Sequence, residues 1–483
     1  MGLSFVFPDK GIKISENIRL DFIEINRIIS PKPEYKDISG IIDSTSINAV
    51  RKEMKLSWED FLTKAPINNN AYYLYVSQPT DTIIREFKTD SIKHVLHSLD
   101  FPDNDHSILY PFFRSLSKTN RSNNLMRILH FGDSQIEGNR VSSYIRNELQ
   151  KRFGGSGVGL IPVRQIYLKN ISLDMSLSDN WRNYTIKQKS KLPSGYKKFG
   201  LLFNFSRFND PLTNQNKIHK GRIYIQRPSY SYIRARKYKK IRLFYSGNTE
   251  PCIAQMKVQD KSLDAEILEP SNQLRVLTWH FQNPPQHFEL TFDGQDSPNI
   301  YGIALDNTSG IALDNIPMRG SSGLEFTKTN YSFFKSMYQQ LNVKLILLQF
   351  GVNVVPYIKE DYKQYEKQLY RQLIYLKRIN NNTPIILLGV SDMSRKLFGY
   401  YVSYPNIQKI RDAQKNAAFK AGCAFWDVYK AMGGENSMPS WVFADPPLAE
   451  KDFTHFSSQG AKVIAEMFTK ALLKEYDIYM HNR

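Results

Sequence analysis

Apolar residues in this chain follow two rhythms, and the rhythm changes twice along its length. RILHF (127–131), VKLILLQF (343–350), PIILLGV (384–390) and CAFWDV (423–428) are nearly unbroken apolar runs. That is the pattern of strands buried on both faces. DYKQYEKQLYRQLIYLKRI (361–379), NIQKIRDAQKNAAFKAG (406–422) and FSSQGAKVIAEMFTKALLKEY (456–476) instead space their apolar residues three and four apart, as amphipathic helices do. Between about 166 and 301 the texture alternates with period two. GRIYIQRPSY, KKIRLFYSG, AQMKVQDK and HFELTFDG are separated by Asn, Asp, Gly and Pro turns, which predicts antiparallel strands of a sandwich.

Strand and helix in alternation predict an α/β protein with a parallel sheet covered on both faces, interrupted by an all-β sandwich. The expected division is 1–105, a region with no chemistry assigned; 106–165, first part of the core; 166–301, the inserted sandwich; and 302–478, second part of the core. In the first region SWEDFLTKA (57–65) reads as a helix and AYYLYVSQ (71–78) as a strand. SILYPFFRSLSK (107–118) reads as a helix lying beside the first core strand. The first region is either a small appended domain or a scaffold docked on the core. A six-residue echo, GIALDN, occurs at 302–307 and again at 310–315. One copy is expected to close the sandwich and the other to form the second core strand. Gly154, Gly155, Gly157 and Gly159 follow a helix and lack the lysine of a phosphate loop, so they read as a helix stop and turn.

Candidate chemistry starts where the first core run ends in Gly132-Asp133-Ser134 and turns helical. A serine at the carboxyl edge of a sheet, on the first turn of a helix, is well placed for nucleophilic attack, but it needs a base. Asp452 and His455, three apart before the last helix, can supply the base and the group that orients it. Gly320 and Asn353 each follow a predicted strand and can offer a backbone N–H and an amide to an oxyanion, beside the N–H of Ser134. Asp392, at another strand edge, is a second candidate orienter. Trp441 and Pro446-Pro447 lie in a loop before the base and are candidates for a pocket wall. Taken singly, each of these is ordinary: a capping serine, a turn glycine, a capping asparagine. Their joint appearance in this order is specific.

These four segments resemble the four blocks of the SGNH (GDSL) hydrolase family, over roughly residues 125–165 and 300–478. The blocks are Gly-Asp-Ser with Ser134, a glycine block with Gly320, Gly-x-Asn with Gly351 and Asn353, and Asp-x-x-His with Asp452 and His455. The resemblance implies a flavodoxin-like three-layer α/β/α fold. It also implies a Ser134–His455–Asp452 triad and an oxyanion hole from Ser134, Gly320 and Asn353, with Asp133 and Gly351 supporting. Gln135 stands where lipase-like members have Leu, and Val354 where many members have Asp, which argues against a lipase. The implied activity is removal of O-acetyl groups from a polysaccharide such as peptidoglycan, with no metal or cofactor. Two alternatives stay open: an O-acetyltransferase using the same triad, and a non-catalytic glycan-binding envelope protein. The sandwich is similar in position and texture to the carbohydrate-binding-module-like insert of some peptidoglycan O-acetylesterases.

Charge narrows the partners. With 65 Lys and Arg against 46 Asp and Glu the net charge is +19, which favours anionic partners such as envelope polymers. The densest basic run is Tyr232–Tyr245, either a polymer contact or a solvated loop entering a strand. No nucleic-acid motif accompanies it, so nucleic acid is not expected. Two cysteines, Cys252 and Cys423, make neither a disulfide framework nor a metal cluster. MGLSFVFPDKG is too short an apolar stretch to span a membrane. It reads as the trailing edge of a leader, which places the protein outside the cytoplasm, with a cytoplasmic location as the alternative.

Overall fold

A computed structural model of the chain describes residues 33–47, 98–119, 124–165, 170–187, 192–193, 195–210 and 217–483. It also describes the backbone of two short antiparallel strands, Ile12–Ser15 and Ile18–Leu20. The helix expected at 57–65 and the strand at 71–78 lie outside the described residues.

Five parallel strands form the core sheet: β1 (Leu125–Gly132), β2 (Gly310–Pro317), β3 (Val343–Gln349), β4 (Ile385–Leu388) and β5 (Ala424–Trp426). Their spatial order is β2-β1-β3-β4-β5, the flavodoxin-like order. Successive side chains of a strand face opposite ways, and the apolar runs divide accordingly. Met126, Ile128, Leu345 and Leu347 face α1 (Ser142–Phe153) and the long terminal helix Ser458–His481. Leu129, Phe131, Ile346 and Leu348 face the other layer, α2 (Tyr331–Gln339), α3 (Lys363–Ile379) and α4 (Ile407–Lys420). The terminal helix is α5. Layers on both faces explain why these strands read as unbroken apolar runs rather than alternating ones.

Residues 33–47 and 98–119 dock on the α1 and α5 side, with Ile38, Ile41, Ile42, Ile47, Leu99 and Phe101 in the same core cluster. Helix Tyr110–Ser117 buries Phe112, Phe113 and Leu116 there, as its spacing predicted. Asp100 pairs with Phe425 at the edge of β5.

Two antiparallel sheets fill the interval between β1 and β2. One contains strands 174–177, 219–226, 252–258 and 287–294; the other contains 159–161, 182–185, 204–207, 240–246, 275–280 and 299–306. Ile223, Leu243, Phe288, Leu290 and Ile303 lie buried between them. The second sheet turns its other face to the core, where Phe203 meets Phe131, Phe326 and Phe334.

The sandwich sheet reaches further than the sequence division allowed. Gly159–Ile161, placed in the core by that division, pairs with the strand 299–306, and residues 302–306 continue that strand, as expected of the GIALDN copy that closes the sandwich. All eight residues of 299–306 are buried, so the strand reads like a core strand rather than an alternating one. The GIALDN echo straddles this boundary, the first copy in the sandwich and the second in β2. Its two aspartates, Asp306 and Asp314, both bind Arg127 of β1, and all three side chains are fully buried. The glycine stretch after α1 is a helix stop: Gly154 has φ +77, and a Cβ at Gly155 would meet the Ile311 nitrogen at 2.4 Å.

Candidate active site

The first three strands of the sheet end side by side. Gly132 pairs with Pro317 of β2 and Gln349 of β3, and the loops that follow carry Ser134, Gly320 and Asn353. Asp133 fastens two of these loops. Its carboxylate accepts from the Gln135 N–H at 3.0 Å and from the Gly351 N–H at 3.1 Å. Burial pushes the Asp133 carboxyl up to about 6, while those N–H groups and the nearby His455 oppose the shift. Asn353 donates its amide to the Ser321 carbonyl at 2.9 Å, which ties the third loop to the glycine block. One hydrogen of that amide remains for another acceptor. Gly320 has φ +69 at the exposed turn of its block.

The helix after the serine is broken, contrary to the continuous one expected. Ser134–Asn139 is a short 3-10 turn interrupted at Glu137 and Gly138, and α1 starts only at Ser142. The aligned dipole of α1 therefore does not end at Ser134, and anion stabilisation there falls to individual N–H groups. Glu137 turns back because its buried carboxylate takes both arms of the Arg319 guanidinium, at 2.7 Å each.

His455 reaches Ser134 from the loop before α5. Its Nδ1–H donates to Asp452 Oδ2 at 2.6 Å, which leaves Nε2 to accept from the Ser134 hydroxyl at 2.7 Å. The same carboxylate accepts from the Thr454 and His455 backbone N–H groups at 2.9 Å each. Burial alone raises the Asp452 carboxyl, but the His455 ring and these N–H groups outweigh it and hold the group down at about 2. The pair is open to solvent, with side-chain exposures of 29% for His455 and 51% for Asp452.

Asp392, the second candidate orienter, does not serve His455. It is buried and accepts from the Ser403 hydroxyl at 2.6 Å and the Met438 N–H at 2.7 Å, anchoring neighbouring loops. Trp441 is likewise buried, its indole N–H donating to the Met432 carbonyl at 3.0 Å, so it does not line the site.

Two residues that hold the base in place escaped the sequence reading. The buried amide of Gln135 spans His455: its NH₂ donates to the Thr454 carbonyl at 2.7 Å, and its oxygen accepts from the Phe456 N–H at 3.2 Å. Arg140 donates to the Ser134 carbonyl at 3.0 Å and to the Phe456 carbonyl at 2.9 Å. Neither carried a sequence signal, because what each does is set by distant backbone atoms. Lys187, whose ammonium donates to the Arg319 carbonyl at 2.6 Å beside Gly320, carried none, since it sits at the end of a sandwich strand. Among the described residues no three His, Cys, Asp or Glu side chains gather as a metal set. No described helix is long and apolar enough to cross a membrane.

The sheet order, the serine after β1 and the histidine before the last helix give this chain a fold that resembles the SGNH (GDSL) hydrolases. Among solved structures, a peptidoglycan O-acetylesterase superposes with a TM-score of 0.60 over 78% of this chain and 99% of its own, at 19% identity. Salicylyl-acyltransferase SsfX3, from a tetracycline biosynthetic pathway, aligns over 64% of this chain and 97% of its own, at 12% identity and a TM-score of 0.29. The acetyl xylan esterase AlAXEase aligns over 34% of this chain and 81% of its own, at 16% identity and a TM-score of 0.26. No protein-family profile and no curated protein sequence matches the chain.

Proposed function

We propose that the protein is a serine esterase that removes O-acetyl groups from a polysaccharide, peptidoglycan being the first candidate, and that it works outside the cytoplasm. The observation that carries the reading is the continuous hydrogen-bonded path from Ser134 Oγ through His455 to Asp452, at 2.7 and 2.6 Å. The fold shared with a peptidoglycan O-acetylesterase supports the choice of substrate.

In this mechanism His455 takes the proton of Ser134 as Oγ attacks the acetyl carbonyl. Asp452 stays ionised and holds the imidazolium that forms. The oxyanion lies among the N–H groups of Ser134 and Gly320 and the free amide hydrogen of Asn353. His455 returns its proton to the departing sugar oxygen, leaving acetyl-Ser134. Water, deprotonated by the same histidine, then releases acetate. The solvent exposure of His455 and Asp452 favours water over a sugar hydroxyl as the acceptor.

The test is serine-dependent acetate release from O-acetylated peptidoglycan and from a chromogenic acetate ester, with Ser134→Ala as control. Release equal in both proteins overturns the reading. Acetate retained on an added glycan acceptor would assign transfer instead.

A further inference from the structure

The structure assigns a second site: we propose that the cleft between α1 and the sandwich turn Tyr230–Lys239 binds a polyanionic glycan strand. The basic run noted in the sequence divides in two. Arg242 turns inward and pairs with Asp306 at 3.0 Å. Arg234, Lys237 and Lys239 instead line a cleft of about 1400 Å³ together with Lys151, Arg227 and Tyr230. A second hollow of about 480 Å³ shares Arg227, Ile233 and Lys237 with the first and adds Arg236 and His287. Among the described residues no Asp or Glu lines either one.

Among the described residues the Lys and Arg side chains of this cleft lack acidic partners, with one exception, and His287 of the second hollow lies 3.7 Å from Asp260. Lys151 meets Glu148 at 2.7 Å on its own helix. Arg227 donates to the carbonyls of Pro284 and Pro285, which hold its position without neutralising it. Arg234, Arg236, Lys237 and Lys239 form no ion pair among the described residues, and the buried Nε of Arg236 has no hydrogen-bond partner. Converging like charges repel, so the folded chain bears a cost that a bound polyanion relieves.

The turn that presents them is fixed in place. Ile233–Arg236 forms a 3-10 turn. The Gly157 N–H donates to the Arg234 carbonyl at 2.9 Å, the Ser156 hydroxyl to the Lys237 carbonyl, and the Lys239 N–H to the Asp306 carbonyl at 2.9 Å. Ala235 and Tyr238 are buried beneath it. A solvated loop needs none of these anchors. Tyr230 and Ile233 stand 69% and 63% exposed beside the charges, giving flat and apolar surface for the carbon faces of sugar rings. Several uncompensated charges spread over two adjoining hollows match a polymer with repeating anionic groups better than a single small anion. The choice of a glycan among polyanions rests on the esterase reading above; the electrostatics do not.

The test uses the whole protein and sized oligomers of polygalacturonate as the probe, with dextran as a neutral glycan and poly(dT) as another polyanion. Binding of polygalacturonate but not dextran is expected, weakening with added salt. Arg234→Glu with Lys237→Glu should weaken it by about tenfold or more. Lys237→Gln alone, at an exposed side chain, should weaken it measurably without disturbing the fold, checked by thermal unfolding. Ser134→Ala should bind as the wild type does, so failure of the esterase reading is seen separately. Undiminished binding by the charge variants overturns the site, and tighter binding of poly(dT) than of polygalacturonate overturns the glycan.

Discussion

The carboxyl edge of the parallel sheet and the cleft beside α1 handle charge in opposite ways. At the edge, Glu137 is matched by Arg319, Asp452 by His455, and Asp133 by two backbone N–H groups. In the cleft and the hollow beside it, Arg227, Arg234, Arg236, Lys237 and Lys239 have no acidic partner among the described residues. Matched charges hold loops in register and set up chemistry that needs accurate positions. Unmatched charges hold nothing in place and suit a ligand that brings its own counter-charge. A basic sequence thus divides into residues that build the protein and residues that face outward.

The comparison is broken most directly at Asp452. Asp452→Asn keeps the size of the side chain but removes the charge that holds the His455 tautomer, and turnover of an acetate ester should fall by about 10⁴. Turnover within tenfold of wild type would show that the matched pair at the edge is structural. Asn353→Ala should lower kcat by about a hundredfold or more while KM moves little, because in the proposed mechanism its free amide hydrogen acts on the transition state.

A third measurement asks what happens where the edge suppresses charge instead of pairing it. His130, buried in β1 between Gln349 and Ser142, has its pKa pushed down to about 3 by burial. The unfolded chain takes up a proton near pH 6.5 that the folded chain refuses. The stability that His130 contributes is therefore full above about pH 6.5 and is lost as pH falls towards 3, with a slope of up to about 1.4 kcal/mol per pH unit. Burial raises Asp133 and Asp392 to about 6, which changes stability in the opposite sense over part of this range, so the slope is read as the difference in urea unfolding between wild type and His130→Gln from pH 7 to 4. Identical pH dependence in the two proteins would overturn the assignment to His130. The smallest effect is expected at Gln135. Gln135→Ala loses the amide that spans His455, and kcat should drop about tenfold, the worth of one or two hydrogen bonds. Gln135→Glu keeps the acceptor for Phe456 but leaves the Thr454 carbonyl unpaired, so it should not restore the rate.

The two apolar rhythms separated parallel from antiparallel strands because burial on two faces and burial on one face leave different periods. That logic failed at 299–306, a sandwich strand covered on both sides. Ser134, His455 and Asp452 were readable because each stands in a short motif at a strand or helix end. Gln135, Glu137 and Arg140 were not, since their role lies in which distant backbone atoms they meet. The broken helix after Ser134 was invisible for the same reason: Glu137 leaves helical geometry next to an arginine 182 residues away.

The Arg127 clamp has a consequence for how the chain can be shortened. One of its acids, Asp314, belongs to β2, whereas the other, Asp306, belongs to the last sandwich strand. Excising the sandwich would strip a buried guanidinium of half its counter-charge, a loss on the order of 3 to 5 kcal/mol when one partner of such a pair is removed. The inserted strands have thus become part of what holds the core together, and a shorter version of this chain without them would have to replace Arg127 along with the strands it discards.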